Sequence, residues 1–425
     1  EETSDNQDPI VAKRILDEDH WGLDKIKDQI LEFLAVRKHV PQGGGDILCF
    51  IGPMGIGKTS LGQSIARALA RKFVRMSLGG LRDEGEIRGH ELIYVKTHSG
   101  QIIKHVLKSE SLNPVFMLDE IDKVGSDWRG DPASALLAVL DPEQNKEFLD
   151  VYVNVPFDLS RVFFICTGNS TRTIPPALRD RMEVIELPGY TDLEKLAIAK
   201  KHLVCKQKKR QGFPLQRGQN ISPLEVTFTE GALKKLIEEY TREAGVRGLE
   251  RELRKILRKV ARKVEEGELR EKSELVITAQ NLRGYLGRPR IYPEQRFDKM
   301  PPGCVPMFAV SDHGGHFFYL EMKMERGRDH RKIKVTGVRG SGEAKERVNN
   351  LIEEAIDVAL DSIILEGGIL YEPPEERQCK GEVYIHAHIR DSASPKDGPS
   401  AGIPALVASY GLLTKQSAKS HVGAT

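Results

Sequence analysis

Short apolar runs alternate with helix-spaced apolar residues through the first part of the chain. The runs Ile47 to Ile51, Val115 to Leu118 and Val162 to Cys166 carry no charged side chain, which is typical of strands buried on both faces of a sheet. Such strands, alternating with helices, form parallel sheets. The pattern predicts an α/β domain with a doubly wound parallel sheet over residues 1–191, with residues 1–20 as a linker from an upstream region.

The apolar spacing becomes helical after Asp192. It is clearest in one stripe that contains Leu249, Leu253, Ile256, Leu257, Val260, Ala261 and Val264. We therefore predict a small helical domain over residues 192–290.

A proline-rich segment, Gly287 to Gly303, marks the next boundary. Beyond it, Phe317 to Met322 and Glu382 to Ile389 alternate as strands do, and Glu343 to Leu365 has the length and apolar spacing of a helix. This pattern predicts a third domain of α+β type over residues 291–425.

Composition and charge argue against several classes of protein without pointing to a particular function. The 425 residues are 39% hydrophobic and 30% charged, and 64 basic against 62 acidic residues leave a net charge of +2. This balance gives no reason to expect a nucleic-acid or membrane partner, and no run approaches the roughly 18 apolar residues of a membrane span. An odd number of cysteines without a Cys-x-x-Cys pair argues against a disulfide framework or a zinc site and favours a reducing compartment. The cysteines are Cys49, Cys166, Cys205, Cys304 and Cys379.

The first candidate site follows the apolar run that ends at Ile51. The next residues are Gly52, Pro53, Met54, Gly55, Ile56, Gly57, Lys58 and Thr59, which fit the phosphate-binding pattern G-x-x-x-x-G-K-[ST] between a strand and a helix. In such a loop, backbone N–H groups face the phosphates, Lys58 supplies positive charge, and the Thr59 hydroxyl is a ligand for Mg²⁺. The motif predicts a site for ATP with Mg²⁺.

Carboxylates follow the second run and an amide follows the third. Asp119 and Glu120 come directly after Leu118, and Asn169 lies three residues after Cys166. Because the carboxyl ends of parallel strands share one edge of a sheet, Asp119 is placed to hold the metal ion through water, and Glu120 to orient or deprotonate the attacking water. Asn169 is placed to contact the same water and the terminal phosphate. These residues predict ATP hydrolysis.

Two further segments carry candidate chemistry. Arg179 and Arg181 follow a proline-stiffened turn and suit the stabilisation of transferring charge across a subunit boundary; solvated surface arginines are the alternative. Ser400 lies in the turn Pro395 to Gly402, which exposes a hydroxyl as a nucleophile requires. Serine is a weak nucleophile until a base takes its proton, so Ser400 needs a partner.

In this order and spacing, the motifs resemble those of the Lon proteases, ATP-dependent serine proteases of the AAA+ class. The resemblance runs from about Ala12 to the last residue and includes Gly79 to Glu84, Arg88 to His90, Gly130 to Leu137 and Leu140 to Gln144. It implies an AAA+ P-loop ATPase module with a helical lid domain, followed by an incomplete Lon-type protease domain. It also implies a ring of six subunits that unfolds, translocates and degrades misfolded or regulatory proteins.

The resemblance also implies roles for single residues. Asn169 matches the phosphate-sensing amide, Arg181 the finger that reaches a neighbour's ATP, and Arg247 the sensor arginine of the lid. His20 and Trp21 match the adenine-side segment, where the family more often has tyrosine than tryptophan.

Aromatic residues match the family's two pore loops. Tyr94 and Val95 fall in the first loop and Trp128 in the second. A flat side chain can grip an extended polypeptide of any sequence by dispersion contact, although a core position is the alternative for Tyr94 and Trp128. By resemblance, these residues move the protein substrate.

The base for the serine is the open question in the third domain. In the family it is a lysine, which by resemblance lies beyond Thr425, so we expect this chain to hydrolyse ATP but not to cleave peptide bonds. Lys415 and Lys419 fall in a polar stretch and are interpreted as surface lysines. His386 and His388 share one face of a predicted strand, so a histidine base stays open.

Two functions of other classes are alternatives. One is an ATP-driven unfoldase or chaperone with a remnant peptidase domain. The other is a DNA-binding regulator that uses the basic helix Arg251 to Lys263, although its cations fit a solvated outer face. The preferred interpretation has unfolded or misfolded proteins as partners and no membrane. It places the protein in the bacterial cytoplasm, with the mitochondrial matrix as the alternative.

Overall fold

The computed structural model describes most of the chain. The described residues are 2–5, 8–39, 47–81, 83–90, 98–124, 131–214, 224–269, 274–291, 297, 299–311, 314–326, 332–336, 350, 352–358, 383–389, 402–419 and 423. They form two compact units, Glu1–Ile291 and Tyr292–Thr425.

A parallel sheet is the centre of the first unit. The chain between residues 47 and 186 contains strands β1 (Ile47–Ile51), β2 (Phe73–Ser77), β3 (Val115–Asp119), β4 (Phe148–Leu149), β5 (Pro156–Phe157), β6 (Phe163–Gly168) and β7 (Met182–Glu186). Five of them pair in the order β2-β3-β6-β1-β7, all parallel, while β4 and β5 form a short antiparallel pair. The sheet therefore confirms the predicted α/β class.

Helices cover both faces of this sheet. They are α1 (Pro9–Asp19), α2 (Asp24–His39), α3 (Lys58–Ala68), α4 (Gly85–Arg88), α5 (Gln101–Ser109), α6 (Pro132–Leu140) and α7 (Pro176–Arg179). Alternate residues of β1 point to opposite faces: Leu48 and Phe50 pack in one core with Leu61 of α3, whereas Cys49 packs in the other with Ile102 of α5. Burial on both faces explains why the three apolar runs lie in the inner strands β1, β3 and β6, which are buried at every position.

The rest of the first unit is mainly helical, as predicted. It contains α8 (Asp192–Ile198), which continues through a wider π-helical turn into α9 (Val204–Arg210), then α10 (Glu230–Lys235), α11 (Arg247–Glu265) and α12 (Leu282–Leu286). The predicted stripe lies on α11, where its first five members are buried and its last two partly buried.

One feature of this helical part was missed by the sequence interpretation. Strands β8 (Glu225–Phe228) and β9 (Glu274–Ile277) pair in parallel. Each has only four residues, and β9 buries two of them, Leu275 and Ile277. Such a short alternation is too brief to be distinguished from a loop or a helix turn.

The second unit contains a four-stranded mixed sheet. Its strands are β10 (Cys304–Ser311), β11 (Gly314–Arg326), β12 (Lys332–Thr336) and β13 (Val383–Ile389), in the order β10-β11-β13-β12. Helix α13 (Gly402–Thr414) packs on this sheet through Ala405 and Ala408. The two predicted strands are present, and residues 352–358 within the predicted helix are helical. Among the described helices of the chain, none combines the length and apolarity needed to cross a membrane.

Candidate functional site

The phosphate-loop motif connects β1 to α3. Gly57 has a φ of 96°, in the left-handed region that favours glycine, and α3 begins at the next residue, Lys58. The first N–H groups of a helix lack intrahelical partners and carry partial positive charge. The loop therefore presents the start of α3 as an anion-binding position.

The Lys58 ammonium is surrounded by oxygen acceptors. Nζ donates to the carbonyl oxygens of Gly52 and Pro53, the latter at 3.0 Å, and to Oδ1 of Asn169 at 3.2 Å. Burial lowers the pKa of Lys58, while the carboxylates of Asp119 and Asp122 act in the opposite direction. The contact with Asn169 links the end of β6 to the phosphate loop.

Asp119 is fixed at the carboxyl end of β3. It is buried, and its Oδ1 accepts a hydrogen bond from the Thr167 hydroxyl of β6. Its Oδ2 accepts from two nitrogens of Arg75 on β2, with the Nε contact at 3.0 Å. The sequence interpretation did not identify Arg75. A single exposed arginine in a short strand resembles an ordinary surface residue, and the pairing of β2 with β3 is needed to place it here.

Glu120 follows in an uncommon backbone conformation. Its φ is 64°, which few residues other than glycine adopt, and such geometry is concentrated at functional sites. Its Oε1 lies 2.8 Å from Nζ of Lys123. The nearby Asp122 Oδ2 accepts from the backbone N–H of Asn169 at 3.0 Å. The turn after β3 and the end of β6 are thereby tied together.

His20 lines the cleft beside α3. Its ring is buried, and Nε2 lies 2.9 Å from the hydroxyl of Ser64 on α3. Ser64 in turn donates to Oδ2 of Asp19 at 2.7 Å. The Ser64 hydroxyl also lies 3.0 Å from the Ser60 carbonyl oxygen. Because its single proton goes to one of these two acceptors, we assign the proton on His20 to Nε2. Burial lowers the pKa of His20 to about 4, so the imidazole is neutral at neutral pH.

Trp21 presents a partly exposed aromatic surface beside His20. The ammonium of Lys201 lies 3.6 Å from the centroid of its ring, a cation–π contact with the helical part of the unit. An aromatic surface is therefore available next to the loop, where the resemblance implies the adenine.

The helical part also contacts the phosphate loop through its backbone, since the Val246 N–H donates to the carbonyl oxygen of Gly55 at 3.1 Å. Just before α8, the Tyr190 hydroxyl donates to the carbonyl oxygen of Ile56 at 2.6 Å. Arg247 is the first residue of α11, directly after Val246. The sequence interpretation included Arg247 but not Tyr190.

These elements enclose one cleft of about 830 Å³, within the range of roughly 300–1,000 Å³ found for small-molecule sites. It brings together most of the predicted residues: His20, Trp21, Met54, Gly55, Ile56, Gly57, Lys58, Thr59, Asp119, Glu120, Asn169 and Arg247. Thr59 and Asp119 offer a hydroxyl and a carboxylate on the same cleft. These are hard oxygen ligands of the kind that complete a Mg²⁺ shell together with substrate phosphates and water, so the residues fit the metal.

Arg181 does not line this cleft. Its guanidinium donates to Oδ2 of Asp141 at 3.0 Å and to the carbonyl oxygen of Ala177 at 3.0 Å. The backbone N–H of Glu143, followed by Arg181, lowers the pKa of Asp141. The side chain of Arg181 is thus held by Asp141, outside the cleft.

Four predicted residues lie outside the described part of the chain: Tyr94, Val95, Trp128 and Ser400. The candidates for the base of Ser400 named from the sequence lie within the described residues. The Thr336 hydroxyl lies 2.8 Å from Nε2 of His386 and 3.0 Å from Nδ1 of His388. Lys415 and Lys419 are exposed after the end of α13, as predicted for surface lysines.

The sheet order, the phosphate loop and the cleft under a helical lid together define an ATPase domain of the AAA class. Comparison with protein families agrees: residues 48–190 match the ATPase family associated with various cellular activities. Residues 218–273 match the Lon protease AAA+ ATPase lid domain, and residues 276–425 match the Lon protease (S16) C-terminal proteolytic domain.

Three curated relatives, each called Lon protease, are similar over nearly the whole chain. That of Syntrophus aciditrophicus is 48% identical over 100% of this chain and 51% of its own length. Those of Dictyoglomus thermophilum and Desulfovibrio desulfuricans are each 46% identical, over 100% and 96% of this chain and 50% and 44% of their own lengths. The chain belongs to the Lon protease family. It spans about half the length of the curated relatives it matches.

Proposed function

We propose that the cleft binds ATP with Mg²⁺ and hydrolyses it. The observation that carries this proposal is the convergence of Lys58, Asp119 and Asn169 from the ends of three parallel strands on one cleft, with Glu120 beside them. This is the arrangement that phosphoryl transfer needs, because catalysis there depends on positioning and on stabilisation of charge.

Each residue has a separate task in this proposal. Lys58 binds the outer phosphates, and Thr59 and Asp119 hold Mg²⁺, which neutralises phosphate charge when bound. Glu120 orients the attacking water and accepts its proton, and the Asn169 amide positions the same water against the terminal phosphate. Arg247, at the start of α11, carries the nucleotide state to the lid.

We further propose that ATP hydrolysis in a ring of six subunits drives unfolded or misfolded proteins toward a peptidase chamber. The partly exposed position of Arg181 supports a role at a neighbour's ATP, because its side chain does not line its own cleft. Tyr94, Val95 and Trp128 contact the moving polypeptide, and Ser400 is the nucleophile for peptide cleavage.

Among the described residues, the candidates for a base to Ser400 are in environments that do not single any of them out for that role. His386 and His388 both contact Thr336, and Lys415 and Lys419 are exposed to solvent rather than buried in a desolvated site. This supports the proposal that the 425-residue chain hydrolyses ATP without cutting peptide bonds. Cleavage of casein by this chain, lost in Ser400→Ala, would contradict it.

The test of the ATPase proposal is Glu120→Gln, with Glu147→Gln as control because Glu147 is exposed and does not line the cleft. We expect Glu120→Gln to bind ATP as the wild type does and to lower turnover roughly 10²- to 10⁴-fold, since only proton transfer is lost. The control should behave as the wild type. Equal loss of ATP binding, or unchanged turnover, would contradict the role given to Glu120.

The DNA-binding alternative receives less support. On α11, Lys255 pairs with Glu252 at 2.7 Å, and Arg262 with Glu266 at 2.6 Å. Lys263 likewise pairs with Glu268 at 2.7 Å. These pairs reduce the positive potential that phosphate contacts require.

A further inference from the structure

We propose that Arg75 is a positioning residue that competes with Mg²⁺ for Asp119 and thereby sets how strongly nucleotide binding depends on the metal. The inference rests on the proposed function of the cleft. It concerns a residue that belongs to neither the phosphate loop nor the carboxylate motif.

The position of Arg75 in the sheet makes this contact possible. Strand β2 is at the edge of the sheet and buries Val74 and Met76, so Arg75 points to the other face. Its Cα is in register with Met117, two residues before Asp119 on β3. Two residues of strand span roughly 6.6 Å, so the contact requires a long side chain that extends toward the carboxyl edge.

The two ends of this ion pair are in different environments. The Asp119 side chain is 12% exposed, whereas that of Arg75 is 52% exposed and lines the nucleotide cleft. A buried carboxylate is costly unless it is paired. The Thr167 hydroxyl on Oδ1 carries no charge, and of these two hydrogen-bond partners it is Arg75 that brings a positive charge into direct contact with the carboxylate.

Arg75 and Mg²⁺ would therefore act on the same carboxylate. Two cations at one carboxylate repel each other, so binding of either weakens the hold of the other. Because Arg75 is half exposed, its guanidinium can leave Asp119 when Mg²⁺ takes its place and return to solvent. Without metal, Arg75 neutralises the Asp119 carboxylate and so lowers its repulsion of the nucleotide phosphates.

A purely structural ion pair predicts something different. Pairs with one exposed partner add little to folding stability, and their loss would change nucleotide affinity equally with and without metal. Competition between Arg75 and Mg²⁺ for Asp119 predicts that the loss of Arg75 changes nucleotide affinity differently with and without the metal. Without Arg75, metal-free nucleotide loses a cation and binds more weakly, whereas Asp119 becomes a better partner for Mg²⁺.

The experiment measures the Kd of a fluorescent, non-hydrolysable ATP analogue in excess Mg²⁺ and in EDTA. We expect Arg75→Gln to raise the ratio of the Kd in EDTA to the Kd in Mg²⁺ by roughly tenfold, within the usual range of site coupling. Arg75→Lys retains the charge and should keep the ratio close to that of the wild type. Arg161→Gln, which removes an exposed arginine paired with Glu2 outside the cleft, is the matched control.

Three results would overturn the inference: an unchanged ratio in Arg75→Gln, equal weakening under both conditions, or an Arg75→Gln chain that does not fold by circular dichroism. The last would show that the pair is a structural requirement. A wild-type chain that binds the analogue under neither condition would instead contradict the proposed ATP site itself.

Discussion

Gly245 lies against the phosphate loop, and replacing it with alanine tests the contact between loop and lid. A Cβ at this position would lie 2.6 Å from the carbonyl oxygens of both Met54 and Gly55. The adjacent Val246 donates its N–H to Gly55, so the two backbones cannot separate without losing that bond. The substitution therefore perturbs the junction without removing any functional side chain.

The magnitude follows from this overlap. Ordinary contact between a carbon atom and its neighbour is about 3.5 Å, so the backbones must move apart by roughly 1 Å. Overpacking of this size costs about 1–3 kcal/mol. If the cleft needs the lid in its present position to bind ATP, the Kd rises roughly five- to 150-fold.

The assay is a calorimetric titration of Gly245→Ala with ATP and Mg²⁺, together with its free energy of unfolding. Gly284→Ala is the control, because Gly284 is in helix α12 of the same lid with open space around its Cβ position. The control should keep its affinity and be equally or slightly more stable. Wild-type affinity in Gly245→Ala would refute the reasoning that the lid contact shapes the cleft.

Three more outcomes follow. Because the folded pKa of His20 is about 4 and the unfolded value about 6.5, this group's contribution is present above pH 6.5. It is lost as pH falls to about 4, lowering the free energy of unfolding by roughly 3 kcal/mol in chemical melts, and His20→Gln should remove that slope. Asp141→Ala and Arg181→Ala should lower ATP turnover to similar extents, and the double variant should lose no more than either single variant, because the two side chains form one contact. Additive losses would show that the two side chains act independently. Leu253→Ala, fully buried in the lid core, should destabilise by about 2–5 kcal/mol in urea melts, and a loss under 1 kcal/mol would contradict its packing role.

The residues that meet at the cleft could be predicted because each is adjacent to a strong local signal. Lys58 belongs to a contiguous loop pattern, and Asp119 and Asn169 come directly after apolar strands. Parallel strands then bring their ends to one edge whatever the details of pairing. The position of α11 was equally clear, since its apolar stripe persists over several turns.

Other parts of the site depend on pairing that no local pattern encodes. Arg75 reaches Asp119 only because β2 pairs with β3 in one register. Tyr190 and Gly245 contact the phosphate loop from positions distant in sequence, and neither is in a distinctive motif. Strands β8 and β9 are stabilised by each other and by the lid core, so their four-residue segments carry little signal alone.

The central claim is that the cleft is an ATP site with Lys58 as its phosphate-binding cation. Calorimetric titration of ATP with Mg²⁺ into the wild-type chain and Lys58→Ala tests it most directly. We predict one ATP bound per wild-type chain and no measurable binding to Lys58→Ala, with both proteins folded by circular dichroism. A wild-type chain that does not bind ATP, or a Lys58→Ala chain that binds with unchanged affinity, would contradict it.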